Sequence, residues 1–216
     1  MVPAHTYIDS VCEKVIEELK KQGLYNNTVI IVTADNGEFH GWHALADKWY
    51  PYQESIRVPL IIKDPRMPTE KRSALDDSFT LNVDLAQTIL GAAGLDHPKE
   101  MQGRDIGDLY LERPKSNEPW RSEYYYEFPD INAKIPPSFA LVRKKWKYIN
   151  WHKHGCEQLF DLEKDPFEFR NLVENNRSSD MNKMRRRLME LRHEVFEPMV
   201  PGTWCDPLWP VGETLN

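Results

Sequence analysis

The six residues from Thr28 to Thr33, TVIIVT, are all β-branched. Such side chains favour extended backbone, and no polar position alternates with the apolar ones. A strand with one wet face alternates. An unbroken run reads as a strand covered on both faces, as in a parallel sheet flanked by helices. This run therefore assigns the first part of the chain to the α/β class. Val58 to Ile62 (VPLII) is a second run of the same kind, with Pro59 near its start where a ladder donor can be spared.

Two helices accompany these strands. Residues 7–22 carry Ile8, Val11, Cys12, Val15, Ile16 and Leu19 at helical spacing, with Gly23 as the stop. Residues 81–93 place Val83, Ala86, Ile89, Leu90 and Ala93 on one expected inner face, followed by Gly94 as cap. Two strands and two helices cannot close a crossover sheet, so the protein is expected to continue upstream of Met1.

The texture changes after about residue 112. Pro114, Pro119, Pro129, Pro136 and Pro137 interrupt the chain. Short strand-like runs follow at Glu123–Phe128, Phe139–Arg143, Trp146–Trp151 and Gln158–Asp161, with a hairpin connection at residues 143–145. Residues 181–196 return to helical period with Met184, Leu188, Leu191 and Val195 on one side. Two domains are expected: residues 1–112, α/β, and residues 113–216, a small antiparallel sheet with a packed helix and an extended tail from Glu197.

Composition excludes several function classes. The 216 residues are 40% apolar and 11% aromatic, enough to bury a core. The net charge is −6, and the basic residues are scattered apart from Lys144-Lys145 and Arg185-Arg186-Arg187, which argues against nucleic acid as a partner. No apolar run approaches membrane-spanning length, and MVPAHTYIDS lacks the pattern of an export signal. Cys12 sits in the helical stripe and reads as a small buried hydrophobe. Cys156 and Cys205 could pair in an oxidising compartment, and the sequons at Asn26 and Asn176 carry little information.

Chemistry concentrates just beyond the first strand. Asp35-Asn36-Gly37 follows the carboxyl end of TVIIVT, where loops of an open α/β sheet bind ligands. A carboxylate beside a carboxamide offers hard oxygen donors suited to Ca²⁺ or Mg²⁺, although Asp-Asn-Gly is also a good turn. The loop that follows brings His40, His43, Lys48 and Arg57 before the next core strand, together with Trp42, Trp49, Tyr50 and Tyr52. A long loop with such aromatics reads as ordered and functional. His40 and His43, three apart, could bind a transition metal such as zinc, but no third ligand is near in sequence. Arg57 beside Glu54 reads as a local ion pair.

TADNG, GWHALADK and YQESIRVPLI together resemble the downstream active-site segment of the formylglycine-dependent sulfatases of the alkaline phosphatase superfamily. The resemblance continues through TYIDSVCEKVIEELKKQGLYNNT, VDLAQTILGAAGL, ALVRKKWKYINW and LFDLEKDPFEFRNL, with Ala44 where glycine is usual and Gln53 where glutamate is usual. It implies that residues 1–112 are the C-terminal part of an alkaline-phosphatase-like α/β sandwich. It also implies that Asp35 and Asn36 are ligands of Ca²⁺ or Mg²⁺, that Lys48 faces a sulfate oxygen, and that His43 contacts the same group. The nucleophile of that family, a formylglycine made within Cys/Ser-x-Pro-x-Arg, has no counterpart among these residues and is expected in the upstream part, as are the remaining metal ligands. The aromatics of the loop offer stacking surfaces for sugar rings, which points to a sulfated carbohydrate as substrate, and the resemblance further implies a secreted, periplasmic or lysosomal setting. A phosphonate or phosphodiester hydrolase of the same superfamily and a non-catalytic sulfatase-like module are the alternatives. Asn36, where phosphate-type relatives usually carry histidine, favours sulfate.

Overall fold

The computed structural model describes residues 4–113, 118–129, 135–173 and 179–196. The possible pairing of Cys156 with Cys205, the sequon at Asn176 and the tail from Glu197 fall outside these residues. The chain forms two compact units, one of residues 1–34 and 59–119, the other of residues 35–58 and 120–216. The long loop that carries the candidate site thus folds with the second unit, not with the strands it connects.

The first unit holds helix α1 (Ala4–Lys21), strands β1 (Ile30–Thr33) and β2 (Leu60–Lys63), and helix α3 (Asn82–Ala92). Both strands lie where the apolar runs place them, but they pair antiparallel, with Ile30 opposite Lys63 and Thr33 opposite Leu60. The parallel pairing expected from TVIIVT is therefore corrected for this pair. A parallel neighbour needs a crossover of a dozen or more residues, usually helical. The only α-helix between β1 and β2 is the four-residue α2 (Gln53–Ile56). Nor is the sheet covered on both faces within this unit: Ile61 is largely exposed, as are Ile8 and Val15 along the α1 stripe, while Cys12 is half-buried.

The buried face of α3 is the second correction. Val83 and Ile89 of the expected inner face are exposed, whereas Asp84, Gln87 and Thr88 are buried. These polar groups are inside because the segment after the helix supplies their partners. Asp84 accepts from the backbone amides of Leu81 (2.7 Å) and Arg104 (2.8 Å). Thr88 Oγ1 donates to the Asp84 carbonyl at 2.8 Å and accepts from the Ile106 amide at 2.9 Å. Buried polar groups persist only when satisfied in this way. Gly103 makes the approach possible, because a Cβ there would lie 2.0 Å from the Val83 carbonyl oxygen.

The second unit is an antiparallel meander of β3 (Glu123–Phe128), β4 (Ser138–Arg143), β5 (Trp146–Trp151) and β6 (Cys156–Asp161), followed by helix α4 (Ser179–Phe196). Side-chain alternation gives this sheet two covered faces. Phe139, Leu141, Tyr148 and Leu159 meet Met181, Met184 and Leu188 of α4. Ala140, Ile149, Trp151 and Phe160 meet Tyr50 and Tyr52 of the 35–58 loop. The expected α4 stripe is thus the buried one at Met184 and Leu188.

Lys147 occupies the loop-facing side of β5, two residues before Ile149, and is fully buried. Its Nζ lies 2.6 Å from Glu168 Oε1 and donates to the Pro51 carbonyl at 3.0 Å. Glu168 Oε2 accepts from the Gln53 amide at 2.7 Å. Burial pushes the Lys147 amine below its ordinary value, with Glu168 opposing the shift, and pushes the Glu168 carboxyl up against the pull of Lys147. Removing one member of such a pair strands the other charge. Lys147→Met is expected to lower the urea unfolding free energy by about 3–5 kcal/mol, and Lys147→Met/Glu168→Leu by clearly less than the two single losses combined. Equilibrium unfolding followed by tryptophan fluorescence reads this; additive losses would show that the two charges do not act as a pair.

On the opposite face Glu157 accepts a bidentate pair from Arg185, at 2.8 and 2.6 Å, and also the Tyr148 hydroxyl. Partial burial alone would raise its carboxyl, but the Arg185 and Tyr148 hydrogen bonds hold it below the ordinary glutamate value of 4.5. A carboxyl lowered on folding stabilises above its unfolded value, and that stabilisation is lost as pH falls through the folded value. The stability difference between the native chain and Glu157→Gln should accordingly be constant above about pH 6 and shrink from about pH 5 downward. Urea unfolding of both proteins across that range checks it.

Candidate functional site

The 35–58 loop is built on one buried ring. Phe39 is fully buried and meets His43, Tyr50 and Tyr52 edge-on at 6.2, 5.9 and 6.2 Å. Edge-to-face contacts at this spacing are the favoured aromatic geometry. Backbone bonds close the loop around the ring: Phe39 N to Asp47 O (3.0 Å), Gly41 N to Leu45 O (3.1 Å) and Gly37 N to Ser55 O (2.8 Å). The loop is tied down further by the Tyr126 hydroxyl, which donates to the Trp49 carbonyl at 2.8 Å, and by Tyr52, which donates to Gln158 at 2.9 Å.

Such closure requires unusual backbone. His40, His43, Ala44, Asp47 and Trp49 all have positive φ, from 47° to 80°. Each such non-glycine residue costs on the order of 1–3 kcal/mol and persists only where its surroundings over-determine it. These five lie within ten residues, interleaved with the candidate site residues. Gly37 serves by close approach: a Cβ there would lie 2.0 Å from the Glu54 carbonyl oxygen.

Asp35 is exposed at the start of the loop and Asn36 is half-buried. Asp35 Oδ1 accepts the Asn36 amide at 2.9 Å, and Asn36 Nδ2 donates to the Gly37 carbonyl at 2.9 Å. Asp35 Oδ2 and the Asn36 carboxamide oxygen accept no hydrogen bond among the described residues. Two hard oxygens are therefore presented from adjacent residues, which fits Ca²⁺ or Mg²⁺ in kind but not in number, since such ions take six or more oxygens. Among the described residues no cluster of three or more His, Cys, Asp or Glu side chains is arranged for a metal.

Lys48 is half-buried, with its ammonium 5.8 Å from the centre of the Trp49 ring. No carboxylate pairs with it among the described residues. His43 is a different case. Its ring lies flat on Tyr52 at 4.4 Å and against Phe169 at 5.0 Å, leaving the side chain only 11% exposed. Its Nε2 is 3.4 Å from Glu54 Oε2, close enough for an ion pair when the ring is protonated but not aligned as a hydrogen bond. Glu54 thus faces His43, and the local pair expected with Arg57 does not form. His40 is exposed at the rim, 3.6 Å from Glu38.

The residues that fix this geometry from outside the loop, Lys147, Glu168, Phe167 and Phe169, were not identified from sequence. One signal was legible: alternation in WKYINW puts Lys147 on the same face as Ile149 and Trp151, and a lysine on an apolar face implies a buried counter-charge. Gly37→Ala is expected to lower stability by about 1–3 kcal/mol through overpacking against Glu54 and to speed hydrogen exchange at amide 37, which donates to Ser55. Unchanged exchange there would show that the loop does not depend on this approach.

Residues 37–194 match the family described as N-sulphoglucosamine sulphohydrolase, C-terminal. An N-acetylglucosamine-6-O-sulfatase of Bacteroides thetaiotaomicron is 28% identical over 191 residues, covering 87% of this chain and 33% of the relative. An arylsulfatase of Clostridium perfringens is 33% identical over 170 residues, covering 78% and 34%. The chain thus spans about a third of the length of these curated relatives. A solved structure described as in complex with its substrate D-glucosamine-2-N,6-O-disulfate superposes with a TM-score of 0.75 at 27% identity, covering 88% of this chain and 38% of that one. A phosphonate monoester hydrolase of Agrobacterium radiobacter gives 0.74 at 24% identity, a likeness of fold alone.

Proposed function

This chain belongs to the sulfatase family of the alkaline phosphatase superfamily, as its C-terminal region, and from that premise we propose that it supplies the metal-ligand pair and the sulfate-facing lysine of a sulfuric ester hydrolase. The proposed substrate is a sulfated carbohydrate, in keeping with the sulfated glucosamine named for two of the relatives. The observation that carries the reading is Lys48. The ammonium of half-buried Lys48, without a carboxylate partner among the described residues and in a loop held by Phe39 and strained backbone, is pre-set for an anion.

A sulfate monoester approaching its transition state gathers negative charge on its leaving oxygen and its non-bridging oxygens. Lys48 places a compact cation against that charge. Asp35 and Asn36 would hold a divalent ion through their two free oxygens, and such an ion, when bound, polarises the ester. With Nε2 facing Glu54, His43 would reach the ester through Nδ1. The role of this chain is then to bind and orient the ester. The formylglycine of the family is assigned to residues outside it.

Titration of the 216-residue chain with methyl sulfate, with and without calcium, tests the reading by NMR. Binding is expected to weaken about tenfold or more in Lys48→Ala, the loss of one charge-assisted contact. Calcium, for which this chain supplies two of six or more oxygens, should shift that binding only slightly, and Asp35→Ala should remove that shift. Affinity indifferent to both changes would overturn the assignment. Methyl phosphonate in parallel decides between sulfate and the phosphonate chemistry of the structural relative.

A further inference from the structure

Packing fixes the plane of the His43 ring but not which way round the ring sits. Tyr52 stacks on it at 4.4 Å and 14°, Phe169 lies against it at 5.0 Å and 38°, and Phe39 meets it edge-on at 6.2 Å. Its backbone is held in the left-handed region, with φ of 54°. A ring confined in this way has two orientations, related by a half-turn about its bond to Cβ. The turn exchanges Nδ1 with Cδ2 and Nε2 with Cε1 and leaves the outline almost unchanged. Only a polar partner tells the two apart.

Glu54 is the polar group on that edge. Its Oε2 faces Nε2 at 3.4 Å, and the two side chains are only 14% and 11% exposed. Both atoms are sealed from solvent, and neither has a hydrogen-bond partner among the described residues. An unmatched buried polar atom carries its full desolvation cost, so a small rotation that joins these two relieves both at once. Lys147, whose amine Glu54 also reaches electrostatically, is already bonded to Glu168 and to the Pro51 carbonyl. Glu54 is moreover carried on α2, whose Gln53 amide is fixed by Glu168. With Nε2 sealed, the exposed part of the His43 ring lies elsewhere on it. That part opens on two depressions of the second unit, one lined with His40 and Trp42, the other with Leu45 and Trp151.

We propose that Glu54 is the positioning residue of His43: its carboxylate holds a proton on Nε2 and thereby fixes the ring orientation, leaving Nδ1 as the nitrogen open to a ligand. In the neutral ring Nδ1 is then an acceptor, and in the imidazolium it is a second donor. Nε2 keeps its proton in both forms, so the orientation does not depend on the charge of the ring. An imidazole oriented by a carboxylate on its far nitrogen is a recurring arrangement in reactive sites. That Nδ1 meets a sulfate ester rests on the sulfatase reading above; the orientation itself does not.

NMR of the 216-residue chain, isotopically labelled at histidine, tests both parts, with His43 assigned by its loss in His43→Gln. In the native chain the Nε2 proton is expected as a resolved signal protected from solvent exchange, and the neutral ring as the Nε2–H tautomer alone. Glu54→Leu removes the acceptor and should erase that signal. Glu54→Gln, which keeps an acceptor oxygen, should retain it. Amide exchange at Gly37 and Phe39 reports whether the loop stays closed, and thermal unfolding whether each variant is folded. A native ring with its proton on Nδ1, or with an Nε2 proton lost to rapid exchange, overturns the positioning role without recourse to any variant. So does a signal that survives in a folded Glu54→Leu chain. Methyl sulfate checks the second part: it should move the Nδ1 resonance and leave the Nε2 proton in place. If the Nε2 proton behaves as expected while methyl sulfate moves neither nitrogen, His43 leaves the ester site and its positioning by Glu54 stands. If methyl sulfate instead displaces the Nε2 proton, Glu54 does not hold the ring and the positioning role falls.

Discussion

The candidate site depends on a charge pair that takes no part in its chemistry. Lys147 and Glu168 are both fully buried, and each also binds a backbone group of the 35–58 loop, Pro51 and Gln53. A buried ion pair contributes little net stability because desolvation opposes the attraction. What it does impose is register. Neither charge can be left without the other, so the loop sits against β5 in the one arrangement that satisfies both, and that arrangement sets where His43 and Lys48 lie.

The same loop shows how a rigid site arises without regular secondary structure. Its only helices are a single turn at Gln53–Ile56 and a short 3-10 segment at Trp42–Ala44. Order comes from the Phe39 anchor, the Gly37 approach to Glu54 and hydroxyl bonds from Tyr126 and Tyr52. These contacts together hold five non-glycine residues in left-handed backbone. Strain concentrated in this way is characteristic of loops that pre-set a geometry. Here it lies among the residues assigned to the ester.

Family membership and geometry bear on different parts of the reading. The match over residues 37–194 assigns the chain to the sulfatases, while the chain spans only a third of the relatives' length. The pair of free oxygens at Asp35 and Asn36 is consistent with a shared ligand set, since two donors cannot complete the shell of a divalent ion. The exposed apolar residues of α1, β2 and α3 have no cover among the described residues of their own unit.

The sequence by itself determined the elements. The six β-branched residues, the alternation through Phe139–Asp161 and the stripe of Met184 and Leu188 placed strands and helices within a few residues of where they lie, because periodicity is a local property of the chain. The motif residues Asp35, Asn36, His43 and Lys48 were legible for the same reason, being close together in one segment. What only the tertiary structure decided was non-local. The antiparallel pairing of β1 and β2 follows from a connection without a crossover helix. The buried face of α3 is polar because residues 101–106 return to meet Asp84, Gln87 and Thr88. The pairing of His43 with Glu54, the Lys147–Glu168 clamp and the stacking of Trp42 on Phe167 and Phe169 join residues up to 127 positions apart, from Trp42 to Phe169. No local pattern encodes such contacts; only the packing that brings the segments together does.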